Sequence, residues 1–162
     1  MNLHLLPLAS VYLLGAWVLW PLGWYFSLGY GLFAIASNLV YISTICARCV
    51  NYGSDRCPSG YGPLSARLAQ KGSSRDFPLY FRRYIPLVAA GWVLPVAGGA
   101  VLLAGSFGNA RSFVLNMLPL LVFAVVAFAI LPRSSRDSCR HCAMRRNCPG
   151  TRFTIGDGRP RP

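Results

Sequence analysis

Residues 5–45 read LLPLASVYLLGAWVLWPLGWYFSLGYGLFAIASNLVYISTI, and no Asp, Glu, Lys or Arg occurs before Arg48. A helix that crosses a bilayer needs about 20 predominantly apolar residues. The stretch offers two such runs, Leu5–Leu22 and Leu28–Ile45, joined by an aromatic stretch with Trp20, Trp24, Tyr25, Phe26 and Tyr30, in which Pro21 and Gly23 supply the break. Pro and Gly break the helix so that the chain can turn back, and the rings favour the headgroup level, where an apolar body and a polar edge are both satisfied. A basic segment ahead of the first run is missing and the second run follows at once, so the first is read as a retained span and not as a cleaved signal.

The rest of the chain extends this reading. Of 162 residues, 54% are hydrophobic and only 12% are charged, with a mean hydropathy of +0.45. A soluble domain carries roughly 25% charged residues, and this much apolar surface cannot be hidden inside so short a chain. Disorder is excluded by the same apolar fraction. Two further runs, Ile85–Gly105 and Phe113–Leu131, turn at Gly105-Ser-Phe-Gly-Asn109. Pro86 and Pro95 with Gly98 and Gly99 predict a kinked third span that lets a neighbour approach closely.

Charge sets an expected orientation. Lys and Arg number 16 against 4 Asp and no Glu, for a net charge of +12. Apart from Arg111, every basic residue lies either between spans two and three, from Arg48 to Arg83, or after span four, from Arg133 to Arg161. Positive segments stay inside, so both termini are expected in the cytoplasm of a multi-pass cell-membrane protein. The lipid bilayer with its anionic headgroups is the partner this charge implies. No nucleic-acid-binding motif accompanies the arginines, so nucleic acid is not expected.

The spans themselves offer little chemistry. Asp55, Asp76, Asp137 and Asp157 all lie outside them, whereas ion- and proton-coupled carriers use intramembrane ionisable groups. Only His4 and His141 are present, which leaves no pair for haem within a bundle. Ser37, Asn38 and Asn116 are expected to hydrogen-bond between helices. Pro63–Gly72 is expected as a short helix, and Phe77–Tyr84, mixing aromatics with Arg82 and Arg83, as a segment lying along the membrane surface.

Six cysteines carry the strongest signal. Cys46, Cys49 and Cys57 form C-x2-C-x7-C-P, and Cys139, Cys142 and Cys148 form C-x2-C-x5-C-P. Each triplet follows a pair of apolar runs, so the chain reads as two copies of one unit. The expected fold is all-α: four transmembrane helices in two hairpins, each followed by a three-cysteine knuckle. Its segments are residues 1–62 (first hairpin and knuckle), 63–84 (cytoplasmic interfacial segment), 85–150 (second hairpin and knuckle) and 151–162 (a flexible basic tail).

Two returning hairpins would bring both triplets to one face. Cytoplasmic thiols are kept reduced, which favours metal or catalytic use over disulfides. A C-x2-C turn offers two thiolates to one ion and the third cysteine adds a corner. Three cysteines leave a tetrahedral ion one ligand short. Six sulfurs can hold two zinc ions through bridges, which resembles, in spacing only, the binuclear cluster of fungal transcription factors. Alternatively they hold an iron–sulfur cluster; the Cys-Pro ending is similar to that of bacterial ferredoxins, but their C-x2-C-x2-C run is missing. The spacing favours zinc. His141 is a candidate extra ligand, and Arg48, Arg56, Arg140, Arg145 and Arg146 are candidates to offset the thiolate charge.

The run Cys-x2-Cys-x2-Tyr-Gly-x3-Cys-Pro-x-Gly-x-Gly, from Cys46 through Tyr52, Gly53 and Gly60 to Gly62, resembles one in small uncharacterised prokaryotic four-helix membrane proteins. Those similarly end in a second Cys-x2-Cys…Cys-Pro motif, and no activity is known for them. The functions this leaves are a cysteine-ligated metal centre acting as a structural or docking element for a membrane or cytoplasmic protein partner, or an electron-transfer component. Membrane thiol–disulfide exchange and metal-ion delivery are the alternatives. Quinone-coupled proteins that generate disulfides are similar in size but carry cysteines in the loops between spans one and two and between three and four, where this chain has none. A metal carrier wants a soft ligand within a span, and only Met117 is on offer.

Overall fold

The computed structural model describes residues 6–55, 57 and 60–133, without the side chains of 6–8. Among them the chain is all-helical: α1 (Leu6–Leu19), α2 (Trp24–Thr44), a short α3 (Gly62–Leu68), α4 (Phe77–Gly105) and α5 (Ala110–Ala124), with no strand. Three helical runs are long and apolar enough to cross a membrane: Trp24–Arg48, Ser74–Gly105 and Ala110–Arg133. The first expected span is a shorter apolar helix, α1 followed by a 3-10 turn over Trp20–Leu22. Pro21 sits at the start of that turn, and Gly23 beyond it takes φ 131°, which reverses the chain before α2.

Several boundaries differ from those expected. Trp24, Tyr25 and Phe26 belong to the first turn of α2, because a bilayer-level aromatic is as helix-compatible as any other once Gly23 has made the break. Phe77–Tyr84, expected to lie on the surface, forms the first two turns of α4. The cause is local: Ser73 accepts from the Arg75 N–H at 3.3 Å to start a 3-10 turn, and Pro78 then occupies a first-turn position where its missing N–H costs nothing. Pro86 and Pro95 leave α4 an unbroken helical run through Gly105. At α5, Asn109 accepts from the Ser112 N–H at 3.3 Å and caps the start. After Ala124 the helix widens into a π-helical segment, Val125–Ile130.

The chain divides into two compact units. One is built, among the described residues, mainly from Leu39–Pro86. Its core joins Ile45 and Phe77, with Tyr41, Cys49, Phe81 and Tyr84 packed against them. The other comprises Leu6–Asn38 and Leu87–Leu131. There α1 packs along α5, burying Val11, Val18, Phe123 and Ala127 beside Leu14, Trp92 and Leu120. Tyr30 donates to the Gly91 carbonyl at 2.9 Å and Ser27 to the Ala16 carbonyl at 2.7 Å, each tying two helices together.

The polar residues of the spans serve this packing. Asn116 donates to Ser106 at 2.9 Å. Asn38 donates to Ala34 of its own helix at 2.7 Å and also approaches the Tyr12 hydroxyl of α1. Ser37 bonds to the Ala34 carbonyl within α2 at 3.0 Å, not to another helix, because a serine hydroxyl readily back-bonds to the preceding turn of its own helix. Outside these contacts the helices present apolar side chains outward. Only 11% of the apolar window in Ala110–Arg133 is buried, and Leu115, Leu118, Leu121 and Phe128 are exposed. Contiguous apolar surface of this kind suits hydrocarbon and not water.

Candidate metal centre

The first cysteine triplet grows out of the end of α2. Thr44 closes the last turn by donating to the Val40 carbonyl at 2.6 Å, and Cys46–Arg48 tightens into a 3-10 turn. The Arg48 N–H bonds the Ile45 carbonyl at 3.1 Å, and the Cys49 N–H bonds the Cys46 carbonyl at 3.2 Å. A C-x2-C pair wound this way is held with both cysteines on one turn. Cys49 then takes φ −78°, ψ 150°, so the chain leaves extended.

The loop that follows brings the third cysteine back. Tyr52, Ser54 and Cys57 each donate a backbone N–H to the residue three before, at 3.1, 3.1 and 3.3 Å. Gly53 bonds the Gly62 carbonyl at 3.0 Å across the loop, and Gly60 bonds the Cys57 carbonyl at 3.0 Å. Gly53 and Gly60 take φ 72° and 73°, the left-handed region that side chains disfavour. The Tyr52 hydroxyl donates to the Ala69 carbonyl at 2.7 Å, fastening the loop to the end of α3. Ser65, fully buried, donates to Gly62 at 2.7 Å. The Gly72 N–H bonds the Ala47 carbonyl at 2.9 Å and closes the connection from the other side.

These contacts bring together three of the expected ligands. Cys46 and Cys57 are buried and Cys49 is half-buried. Cys46 lies within electrostatic reach of both Cys57 and Cys49. Among the described residues, no group of three or more His, Cys, Asp or Glu side chains could hold a metal ion, so the three cysteines share one loop without forming a metal site by themselves.

Arg48, expected as a counter-charge, has definite contacts of its own. It donates from Nη1 to the Thr44 carbonyl at 2.7 Å, and its guanidinium lies over the Tyr80 ring, 3.6 Å from the centroid. The second triplet (Cys139, Cys142 and Cys148), together with His141, Arg56, Arg140, Arg145 and Arg146, lies outside the described residues, as does the expected tail 151–162.

Sequence reasoning singled out Tyr52, Gly53, Gly60 and Gly62 only as a recurring pattern. Their roles are structural: two supply backbone dihedrals, one supplies space and one fastens the loop. The tyrosine–arginine contact of Tyr80 and Arg48 had no signal in the sequence, because the two are separated by a loop and a helix. Comparisons with protein-family models, curated proteins and solved structures find no match to this chain, so its function is argued from its own residues.

Proposed function

We propose that this is a four-span integral membrane protein of two helical hairpins whose basic, cytoplasmic face carries a cysteine-ligated metal centre, with zinc as the metal. The observation that carries the reading is the folded loop at the end of α2 that carries Cys46, Cys49 and Cys57 together. Three cysteines at C-x2-C…C spacing on one loop offer thiolates, which are preferred ligands of zinc. The second triplet, Cys139, Cys142 and Cys148, repeats the spacing after the next helix pair and supplies the ligands that three sulfurs lack. The exposed apolar faces of α4 and α5 and the split of basic residues support the membrane setting.

In this reading the centre is structural. It clips the knuckles together at the end of the bundle and forms a docking surface for a membrane or cytoplasmic protein. An iron–sulfur centre would occupy the same residues and make the protein an electron-transfer component, supported by the Cys-Pro endings alone. Thiol–disulfide exchange would need the cysteines on the oxidising side of the membrane.

Metal analysis of anaerobically purified protein, with a visible spectrum of the same sample, separates these. About two zinc ions per chain and a colourless sample are expected for six shared thiolates. Cys49→Ser and Cys142→Ser should each release metal and open the loop to proteolysis. A metal-free wild-type protein whose six thiols all alkylate, or unchanged metal in both variants, would overturn the proposal. A brown sample with iron and sulfide would replace zinc by the electron-transfer reading.

A further inference from the structure

The guanidinium of Arg48 occupies an unusual position for a cation. One face lies on the Tyr80 ring at 3.6 Å. On another side is the backbone of Gly72, where an added Cβ would come within 2.8 Å of Arg48 Cγ and 3.4 Å of Cζ. Of its five N–H groups, one from Nη1 is used on the Thr44 carbonyl, while Nε–H is buried with no acceptor. No carboxylate pairs with it among the described residues. Arg48 is half-buried and its guanidinium keeps its charge, so an anion that reaches its remaining N–H groups would make charge-assisted bonds that nothing else in the described residues supplies.

The surroundings add to the deficit. Arg67, Lys71, Arg75, Arg82 and Arg83 are all exposed on the same compact unit, where the acids among the described residues are Asp55 and Asp76. Tyr80 stacks on Tyr84 with centroids 6.0 Å apart, and Arg83 lies 5.9 Å over Tyr84, so the cations bracket a tyrosine pair. Leu79, next to Tyr80, is 67% exposed. Planar donors that match phosphate oxygens and a ring that fixes the guanidinium plane, amid exposed cations, are the features of a site for an anionic phospholipid headgroup.

We propose that Arg48, held flat between Tyr80 and Gly72, binds the phosphate of an anionic phospholipid at the end of α2. The site is separate from the thiols but rests on the membrane reading given above. It makes the anionic lipid a ligand of a built site and not only a diffuse counterion of the basic face. Because Arg48 lies between Cys46 and Cys49 in the chain, a lipid held there also steadies the turn that carries both thiols.

The test uses the full chain in neutral detergent. Bound lipid is counted by native mass spectrometry after exposure to phosphatidylglycerol or phosphatidylcholine, and thermal stability is followed with each lipid and with inorganic phosphate. Wild-type protein should retain phosphatidylglycerol, and be stabilised by it, in preference to phosphatidylcholine. Arg48→Gln should weaken that retention about tenfold, the value of one charge-assisted contact. Arg75→Gln removes the same charge from the exposed face and should change it little. Gly72→Val keeps every charge but pushes Arg48 off the Tyr80 ring, and should weaken retention as Arg48→Gln does. Equal retention of the two lipids by wild-type protein overturns the proposal without reference to any variant. So do equal losses in Arg48→Gln and Arg75→Gln, which indicate a diffuse patch, and equal stabilisation by inorganic phosphate, which removes the lipid. A chain that stays soluble without detergent would sink the membrane reading instead, and is distinguished by that behaviour alone.

Discussion

At Gly62, where the cysteine loop meets α3, one added carbon would meet the carbonyl oxygens of Ser54 and Asn51 and the Cβ of Cys57. Two of these three neighbours are backbone atoms and cannot swing aside. Gly62→Ala is therefore expected to push the Cys57 strand outward, at a cost of about 1–3 kcal/mol typical of overpacking. Denaturant unfolding in detergent measures the loss, and a faster alkylation of Cys57 marks where it falls. An unchanged alkylation rate would mean that the loop has room that the contacts do not show. The same reasoning separates the glycines of this motif. Gly53 and Gly60 are required for a backbone dihedral, Gly62 for space. A sequence displays all three as identical letters, so their presence was legible and their distinct causes were not.

Among the elements, α4 acts as the platform that accepts its neighbours. A Cβ at Gly98 would collide with Leu19 of α1, and one at Gly99 would come within 2.7 Å of Leu120 of α5. The close approach expected from Gly98 and Gly99 is thus present, while the helix itself runs unbroken through Pro86 and Pro95. Packing of small residues against a neighbouring leucine is the main cohesive force available to helices in lipid, where no hydrophobic effect drives them together. Gly99→Val is expected to destabilise the helix assembly by about 1–3 kcal/mol. Gly29→Val, at a position with nothing within 4 Å, should have little effect. Unfolding in mixed detergent compares the two, and equal losses would show that the cost is one of glycine flexibility and not of contact. The length of the apolar run Ile85–Gly105 revealed that α4 exists. It did not reveal that α4 begins at Phe77, because that start depends on the Ser73 cap and Pro78 and not on hydropathy.

For the whole molecule the decisive quantity is the side of the membrane on which the charge and the thiols lie. Arg111, exposed in the first turn of α5, is the one basic residue opposite to the others under the four-span reading. Labelling of intact cells with a membrane-impermeant maleimide should leave the wild-type protein unmodified and modify the Arg111→Cys variant. Adding a thiol on the other side, as Lys71→Cys, should give no external label. External labelling of the wild-type chain, with none gained at Arg111→Cys, would reverse the topology. The cysteines would then face the oxidising compartment, and thiol–disulfide exchange would replace the metal centre as the better account.

What the amino-acid sequence determined by itself is one-dimensional: where apolar runs are long enough to prefer hydrocarbon, where charge is excluded, and how cysteines are spaced. Those quantities are sums over neighbouring residues, and they suffice for an all-helical chain with span-length helices and a C-x2-C turn after α2. The tertiary structure alone decided the rest. Whether Cys57 returns toward Cys46 depends on the Gly53–Gly62 bond and the Tyr52–Ala69 bond, each made between residues distant along the loop. Whether Arg48 serves the thiols or a separate site depends on Gly72, which reaches it after α3, and on Tyr80, which reaches it after the 3-10 turn that follows. Contacts of that kind are set by shape and by the satisfaction of buried donors, and neither is written in the local pattern of a sequence.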